Sequence, residues 1–258
     1  MTMSRASLVV LDLGKQYAST AHGPVRAHEA LERVMRSPLR MLRAAVSGEA
    51  RTRPGCHWVL RHVSFTLQPG EIVGVVGRNG AGKSVLLRIL SRVTRPSEGT
   101  ATVRGSVAPL LEVGAGFHHE LTGRDNIFLN GSILGMRLAD IAARIDEIVA
   151  FAGVEDVLDA PVRTYSSGMR MRLAFSVAAH LDRDLYLLDE ILAVGDEGFQ
   201  TKCLARVEAL AASGCTVLLV NHSADVIRSF CSRALLLERG ELVEDGAPGA
   251  IVDRYHDL

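Results

Sequence analysis

The stretch Gly77-Arg78-Asn79-Gly80-Ala81-Gly82-Lys83-Ser84 constrains this chain more than any other, because an apolar run precedes it and a helical pattern follows it. Upstream, Ile72-Val73-Gly74-Val75-Val76 has the length and character of a fully buried strand, while Val85, Leu86, Ile89 and Leu90 recur downstream at helical spacing. Glycines at 77, 80 and 82 let the backbone turn tightly, so that successive N–H groups and a helix N-terminus point at a polyphosphate. Lys83 reaches the β- and γ-phosphates in such a loop, and the Ser84 hydroxyl ligates Mg²⁺. A glycine-rich turn with a chance lysine is the competing account, and the strand-to-helix context counts against it.

At 258 residues and 48% hydrophobic, the chain can bury the core of one large α/β domain with a sub-domain. Lys plus Arg and Asp plus Glu balance at 29 each, so net charge points to neither nucleic acid nor membrane. Cys56, Cys203, Cys215 and Cys231 have no metal-ligand spacing and read as buried thiols of a reduced, cytoplasmic protein. No signal peptide is expected, and no uncharged apolar run approaches the roughly 18 residues of a membrane span.

Leu8 to Leu13 reads as a first strand, followed by Lys15-Gln16-Tyr17. An aromatic there can stack on an adenine ring or simply pack. Residues 18–54 carry seven arginines (26, 33, 36, 40, 43, 51, 53) against Glu29, Glu32 and Glu49. Leu31, Met35, Leu39, Leu42 and Val46 fall on one helical stripe, broken and restarted at Ser37-Pro38. Such a basic amphipathic stretch suits a membrane surface or a partner helix, and equally a solvated helix docked on its own domain.

Alternation resumes at Trp58 to Leu67, and Pro69-Gly70 turns into the strand before the glycine-rich loop. Ala101–Arg104 and Ser106–Leu111 read as a hairpin-like pair. Arg124–Leu134 and Leu138–Phe151 read as helices, the second closed by Gly153, in a helical block spanning about 121–165. Tyr165-Ser166-Ser167-Gly168-Met169 then leads into a helix over Met171–His180. Its start is a second candidate phosphate site or an ordinary N-cap.

The run Leu185-Tyr186-Leu187-Leu188-Asp189-Glu190 ends a buried strand in two acids, where open α/β sheets bind ligands. The first suits Mg²⁺ and the second an attacking water; a solvated turn is the alternative. A further strand, Cys215–Val220, ends at Asn221-His222-Ser223, and His222 can meet a γ-phosphate or sit satisfied at a sheet edge. Arg233–Glu238 and Glu241–Asp245 form a hairpin about Arg239-Gly240, and a short helix runs to Tyr255.

Taken in order, Gly77 to Ser84, Tyr165 to Met169, Leu185 to Glu190, Ala193-Val194-Gly195-Asp196 and His222 resemble the ATP-binding subunit of an ABC transporter. The resemblance implies a RecA-like P-loop NTPase core with an antiparallel β sub-domain and an inserted helical sub-domain, all one nucleotide-binding domain over 1–258. It also implies ATP hydrolysis with Mg²⁺ and a head-to-tail homodimer holding two ATP molecules at its interface. Gly77 to Ser84 would be the Walker A loop, and Ser166, Ser167 and Gly168 the signature turn facing the partner's ATP. Asp189 matches the Walker B aspartate, Glu190 the catalytic glutamate, Asp196 the D-loop aspartate, His222 the switch histidine and Tyr17 the adenine-stacking aromatic. Ser167 and Met169 depart from the glycine and glutamine of the usual signature. Glu112 stands nearest the position of a glutamine that normally meets Mg²⁺ and water, and it adds a negative charge there.

The run from Glu112 to Asn130, with the signature and Ala193 to Asp196, is similar to ATPases of bacterial exporters for O-antigen, capsular polysaccharide and teichoic acid. That likeness implies two transmembrane permease subunits as partners, a lipid-linked glycan reached through them, and a place on the cytoplasmic face of the inner membrane. The 18–54 segment would meet the permease. Some members carry a C-terminal carbohydrate-binding domain; only 36 residues follow His222 here, so none is expected. No nucleic-acid partner is expected either, since ABC-type ATPases acting on DNA or ribosomes usually have coiled-coil insertions or tandem cores. A module that binds ATP without hydrolysing it is disfavoured by Glu190 and His222.

Overall fold

The computed structural model describes residues 7–18, 56–110, 116–189, 196–221 and 223–258. The arginine-rich segment, Glu112, Glu190, Ala193 to Gly195 and His222 lie outside the described residues.

Two sheets organise these residues. In the smaller, β1 (Leu8–Ala18) runs antiparallel to both β2 (Cys56–Leu67) and β4 (Glu98–Val103). The larger has the order β5-β6-β7-β3-β8-β9, where β3 is Ile72–Val76, β5 Val107–Leu110, β6 Leu185–Asp189, β7 Thr216–Val220, β8 Arg233–Glu238 and β9 Glu241–Gly246. Its strand pairs are parallel except the closing β8–β9 hairpin.

Strands β3 and β7 are buried along their whole length, which explains their unbroken apolar sequences: both faces of a parallel sheet are covered. Helix α1 (Lys83–Leu90) packs Leu86, Leu87 and Leu90 between the two sheets, against Leu185, Leu187, Leu218 and Leu235 and the β1–β2 residues Leu8, Val63 and Leu67. The alternate residues Tyr186, Leu188, Leu219 and Leu236 point to the opposite face. There they meet α4 (Ser167–Ala179), α5 (Glu197–Ala212), α6 (Ala224–Phe230) and α7 (Pro248–His256) through Phe175, Phe199, Ile227 and Ile251. Helices α2 (Gly123–Ile133) and α3 (Leu138–Ala152) build a third cluster with Tyr165, Leu173 and Val177, around Ile127, Ile141 and Ile148.

Several expectations change. The strands around residue 105 are not a hairpin: β4 pairs with β1, and β5 pairs with β6 in the other sheet. The reason is tertiary, since the backbone N–H and hydroxyl of Ser106 both donate to Asp184, just before β6. A side chain at Gly105 would meet that carboxylate at 2.2 Å, so glycine there lets the chain cross between sheets. The first strand runs on to Ala18, placing Tyr17 within it, and α4 begins at Ser167 rather than Met171. Cys203 and Cys231 are buried, whereas Cys56 and Cys215 are only half-buried.

Candidate active site

Parallel register gathers the candidate groups at one edge. Asp189 pairs with Val220 and Val220 with Val75, so the end of β6, the end of β7 and the residues leading into Gly77 stand level across three adjacent strands. At about 4.8 Å per strand, Asp189 and the glycine-rich loop are two strand spacings apart. Leu110, at the end of β5, pairs with Leu188 and extends the same edge. Glu112, Glu190 and His222 follow these strand ends in sequence.

Within the loop, Ala81 N–H donates to the Arg78 carbonyl at 3.1 Å and Leu86 N–H to the Gly82 carbonyl at 2.9 Å. Gly82 caps α1 in a left-handed conformation, φ 103°, with no side-chain cap. A side chain at Gly82 would meet Leu60 Cδ2 at 2.5 Å and the Val59 carbonyl at 2.8 Å, and one at Gly77 would meet the Leu237 carbonyl at 2.3 Å. Glycine is therefore required for β2 and β8 to close on the loop. Lys83 is only 7% exposed, and its ammonium donates to the carbonyls of Gly77 (2.6 Å) and Arg78 (3.2 Å). A cavity of about 280 Å³ lies over this helix start, lined by Asn79, Gly80, Ala81, Gly82, Lys83 and Ser84 with Val59 and Val85. Uncapped N–H groups, the helix dipole and a buried ammonium are features that suit an anion.

Tyr17 pairs with His57 on β2, two residues along that strand from Val59 of the cavity wall. Ser166, Ser167 and Gly168 lie elsewhere, at the start of α4. The Ser166 hydroxyl caps that helix by accepting from Met169 N–H at 3.1 Å. Tyr165 beneath it is buried, its hydroxyl donating to the Val157 carbonyl, and Arg170 donates to the Tyr165 carbonyl, both at 2.6 Å. Ser166 and Ser167 are exposed on this fixed turn. Asp196 caps α5 by accepting from Phe199 N–H at 2.8 Å, and its other oxygen is 3.9 Å from Arg172 of α4.

Sequence reasoning missed Val59, which is distant in sequence and reaches the loop only through packing of β2. It also missed Arg172, for which the sequence carries no periodic or motif signal.

A largely parallel sheet with a glycine-rich lysine loop after a central strand, and an acid level with it two strands away, has the layout of a P-loop nucleotide-binding fold. The ABC transporter family model matches residues 60–193. The chain is 46% identical over 225 residues to the ABC transporter protein AbcA of Aeromonas salmonicida, covering 87% of this chain and 72% of that one. It is 42% identical over 196 residues to the O-antigen export system ATP-binding protein RfbB of Klebsiella pneumoniae, covering 76% and 80%. With the teichoic acids export ATP-binding protein TagH of Bacillus anthracis it shares 40% over 202 residues, 78% of this chain but only 37% of the relative. The solved structure of an ATP-binding subunit of an ABC transporter superposes with a TM-score of 0.72 at 21% identity, over 96% of this chain and 93% of that one. The chain belongs to the ABC transporter family. It is an ATPase of that family and ATP is its nucleotide.

Proposed function

We propose that this chain is the ATP-hydrolysing subunit of a bacterial exporter that moves a lipid-linked polysaccharide of the O-antigen, capsule or teichoic acid type across the inner membrane. Its likeness to the ATP-binding proteins of O-antigen and teichoic acid export systems supports the cargo. The observation that carries the chemistry is the level placement of the lysine loop and Asp189 at the ends of two parallel strands separated by one other. Among the described residues no helix is long and apolar enough to cross a membrane. By its likeness to ATP-binding proteins of export systems, two permease subunits would supply the channel and this chain would work at their cytoplasmic face.

In the mechanism we infer, Lys83 and the loop N–H groups hold the β- and γ-phosphates of ATP, and Tyr17 stacks on its adenine. Hard oxygen donors at Ser84 and Asp189 suit Mg²⁺, whose remaining ligands would be phosphate oxygens and water; the described residues contain no cluster of three or more His, Cys, Asp or Glu able to hold a metal alone. When bound, Mg²⁺ would neutralise charge developing on the phosphoryl oxygens. Two copies meet head to tail, each bringing its Ser166–Gly168 turn to the other's γ-phosphate, with Asp196 at the same interface. Glu190 orients the attacking water, His222 contacts the γ-phosphate, and Glu112 accepts from water or joins the metal's ligands. Hydrolysis reopens the pair, and the 18–54 segment and the helical block pass that motion to the permease.

Glu190→Gln tests this reading. Removing a general base costs about 10²- to 10⁴-fold in turnover, so phosphate release should collapse while ATP still binds and traps a dimer visible by light scattering. Turnover like that of the unsubstituted chain, or a strictly monomeric ATP-bound form, overturns it.

A further inference from the structure

The aromatic on β1 is held by a neighbour that its sequence motif does not mention. Lys15 and Tyr17 are two residues apart on one strand and so share a face. The Lys15 ammonium lies 5.1 Å from the centroid of the Tyr17 ring, inside the range of a cation–π contact. The same ammonium donates to the Arg95 carbonyl at 2.7 Å. Around it, Gln16 N–H donates to Ser97 Oγ at 3.0 Å and Ser97 N–H to the Gly14 carbonyl at 2.8 Å. Arg95 and Ser97 belong to the connection that leaves α1, the helix that starts at the phosphate loop.

The β1–β2 ladder shifts register between Leu13 and Lys15 and again between Lys15 and Gln16. Past the second shift the pairing is regular, Gln16 with Trp58, Tyr17 with His57 and Ala18 with Cys56, and the bonds to Arg95 and Ser97 add a tie from this end of β1 to the connection that leaves α1.

We propose that Lys15 is a positioning residue for the nucleotide base: its ammonium, anchored on the Arg95 carbonyl, fixes the Tyr17 ring from one face and leaves the opposite face for the adenine. This rests on the reading of Tyr17 as the stacking residue. The two ends of the nucleotide are then gripped by one mechanical unit, with the phosphates at the start of α1 and the base on a ring latched to the segment after it.

The test compares binding of ATP with binding of inorganic tripolyphosphate, both with Mg²⁺, in the full chain. Lys15→Met should weaken ATP about three- to fivefold and leave tripolyphosphate unchanged, because a cation–π contact and one hydrogen bond act only through the ring. Lys15→Arg should restore most of the ATP affinity, and Lys15→Met added to Tyr17→Ala should cost nothing more than Tyr17→Ala alone. If Tyr17→Ala weakens ATP selectively while Lys15→Met does not, the positioning role fails and the stacking reading stands. If Tyr17→Ala leaves the ratio of the two affinities unchanged, the stacking reading fails and takes the proposal with it. Equal weakening of ATP and tripolyphosphate by Lys15→Met would also overturn the proposal, since it would place the ammonium on the phosphates.

Discussion

The N-termini of α1 and α4 begin with similar small residues and are built in opposite ways. At α1 the cap is a left-handed glycine with no side-chain bond, wedged under β2, and its first turn carries a buried lysine. At α4 the Ser166 hydroxyl already satisfies Met169 N–H, and the turn stands exposed on a buried tyrosine. A side-chain cap satisfies one of the roughly four orphan N–H groups of a helix start, whereas a start without one leaves all of them to be satisfied from outside. The contrast is what the proposed division of labour requires, with a phosphate at α1 within one subunit and α4 presented to another.

The sharpest way to break that contrast is to add one methyl group at each. Gly82→Ala forces a left-handed alanine into Leu60 and the Val59 carbonyl, and should cost about 2–4 kcal/mol of stability by strain and overpacking. Gly168→Ala meets nothing closer than Ser166 Oγ at 3.9 Å and lies inside a helix, where alanine is favoured by about 0.5–1 kcal/mol. It should fold as well as the unsubstituted chain while lowering ATP turnover. Urea midpoints for both variants read this out, and equal destabilisation would show that the two starts are not built differently.

A smaller effect is expected from the side chains. Lys83→Ala should weaken ATP binding about ten- to a hundredfold, the worth of a charge-assisted hydrogen bond to phosphate. Ser166→Ala removes a cap and should cost about 1 kcal/mol of stability instead. Equilibrium ATP titration of Lys83→Ala beside thermal melting of Ser166→Ala separates the two, and unchanged nucleotide affinity in the lysine variant would sink the phosphate-loop assignment.

This division also marks what the sequence could reveal. The phosphate loop was legible because its chemistry is local: glycines, lysine and serine lie within eight residues, between a buried strand and a helix. The ends of β6 and β7 were legible because strands covered on both faces read as unbroken apolar runs. The partner of β4 was not, since a glycine and Ser106–Asp184 bonding send the chain to another sheet, and no pattern within residues 101–111 encodes a bond to residue 184. Val59, Arg172 and the Lys15–Arg95 contact are tertiary in the same sense.

The far end of α4 yields the subtlest test. Its last turn has no basic residue of its own, and arginines of neighbouring helices serve it: Arg206 of α5 donates to the Ala179 carbonyl at 3.0 Å and Arg144 of α3 to the His180 carbonyl at 2.6 Å. His180 is buried beside them, with Nδ1 2.6 Å from the Ser176 carbonyl and its ring nearly perpendicular to that of Phe151. Burial lowers its pKa below the usual 6.5, with Arg206 and Arg144 adding to the effect and the Ser176 hydrogen bond and Glu147 opposing it. The unfolded chain thus takes up a proton near pH 6.5 that the folded chain refuses until lower pH. The stability tied to neutral His180 is fully present above that value and is lost as pH falls toward the folded pKa, at no more than about 1.4 kcal/mol per pH unit. His180→Asn keeps a donor toward Ser176 but cannot titrate, so its urea midpoint should fall less than that of the unsubstituted chain between pH 7.5 and 5.5. Parallel pH profiles would mean that the arginines at this end of α4 hold a histidine that never resists its proton.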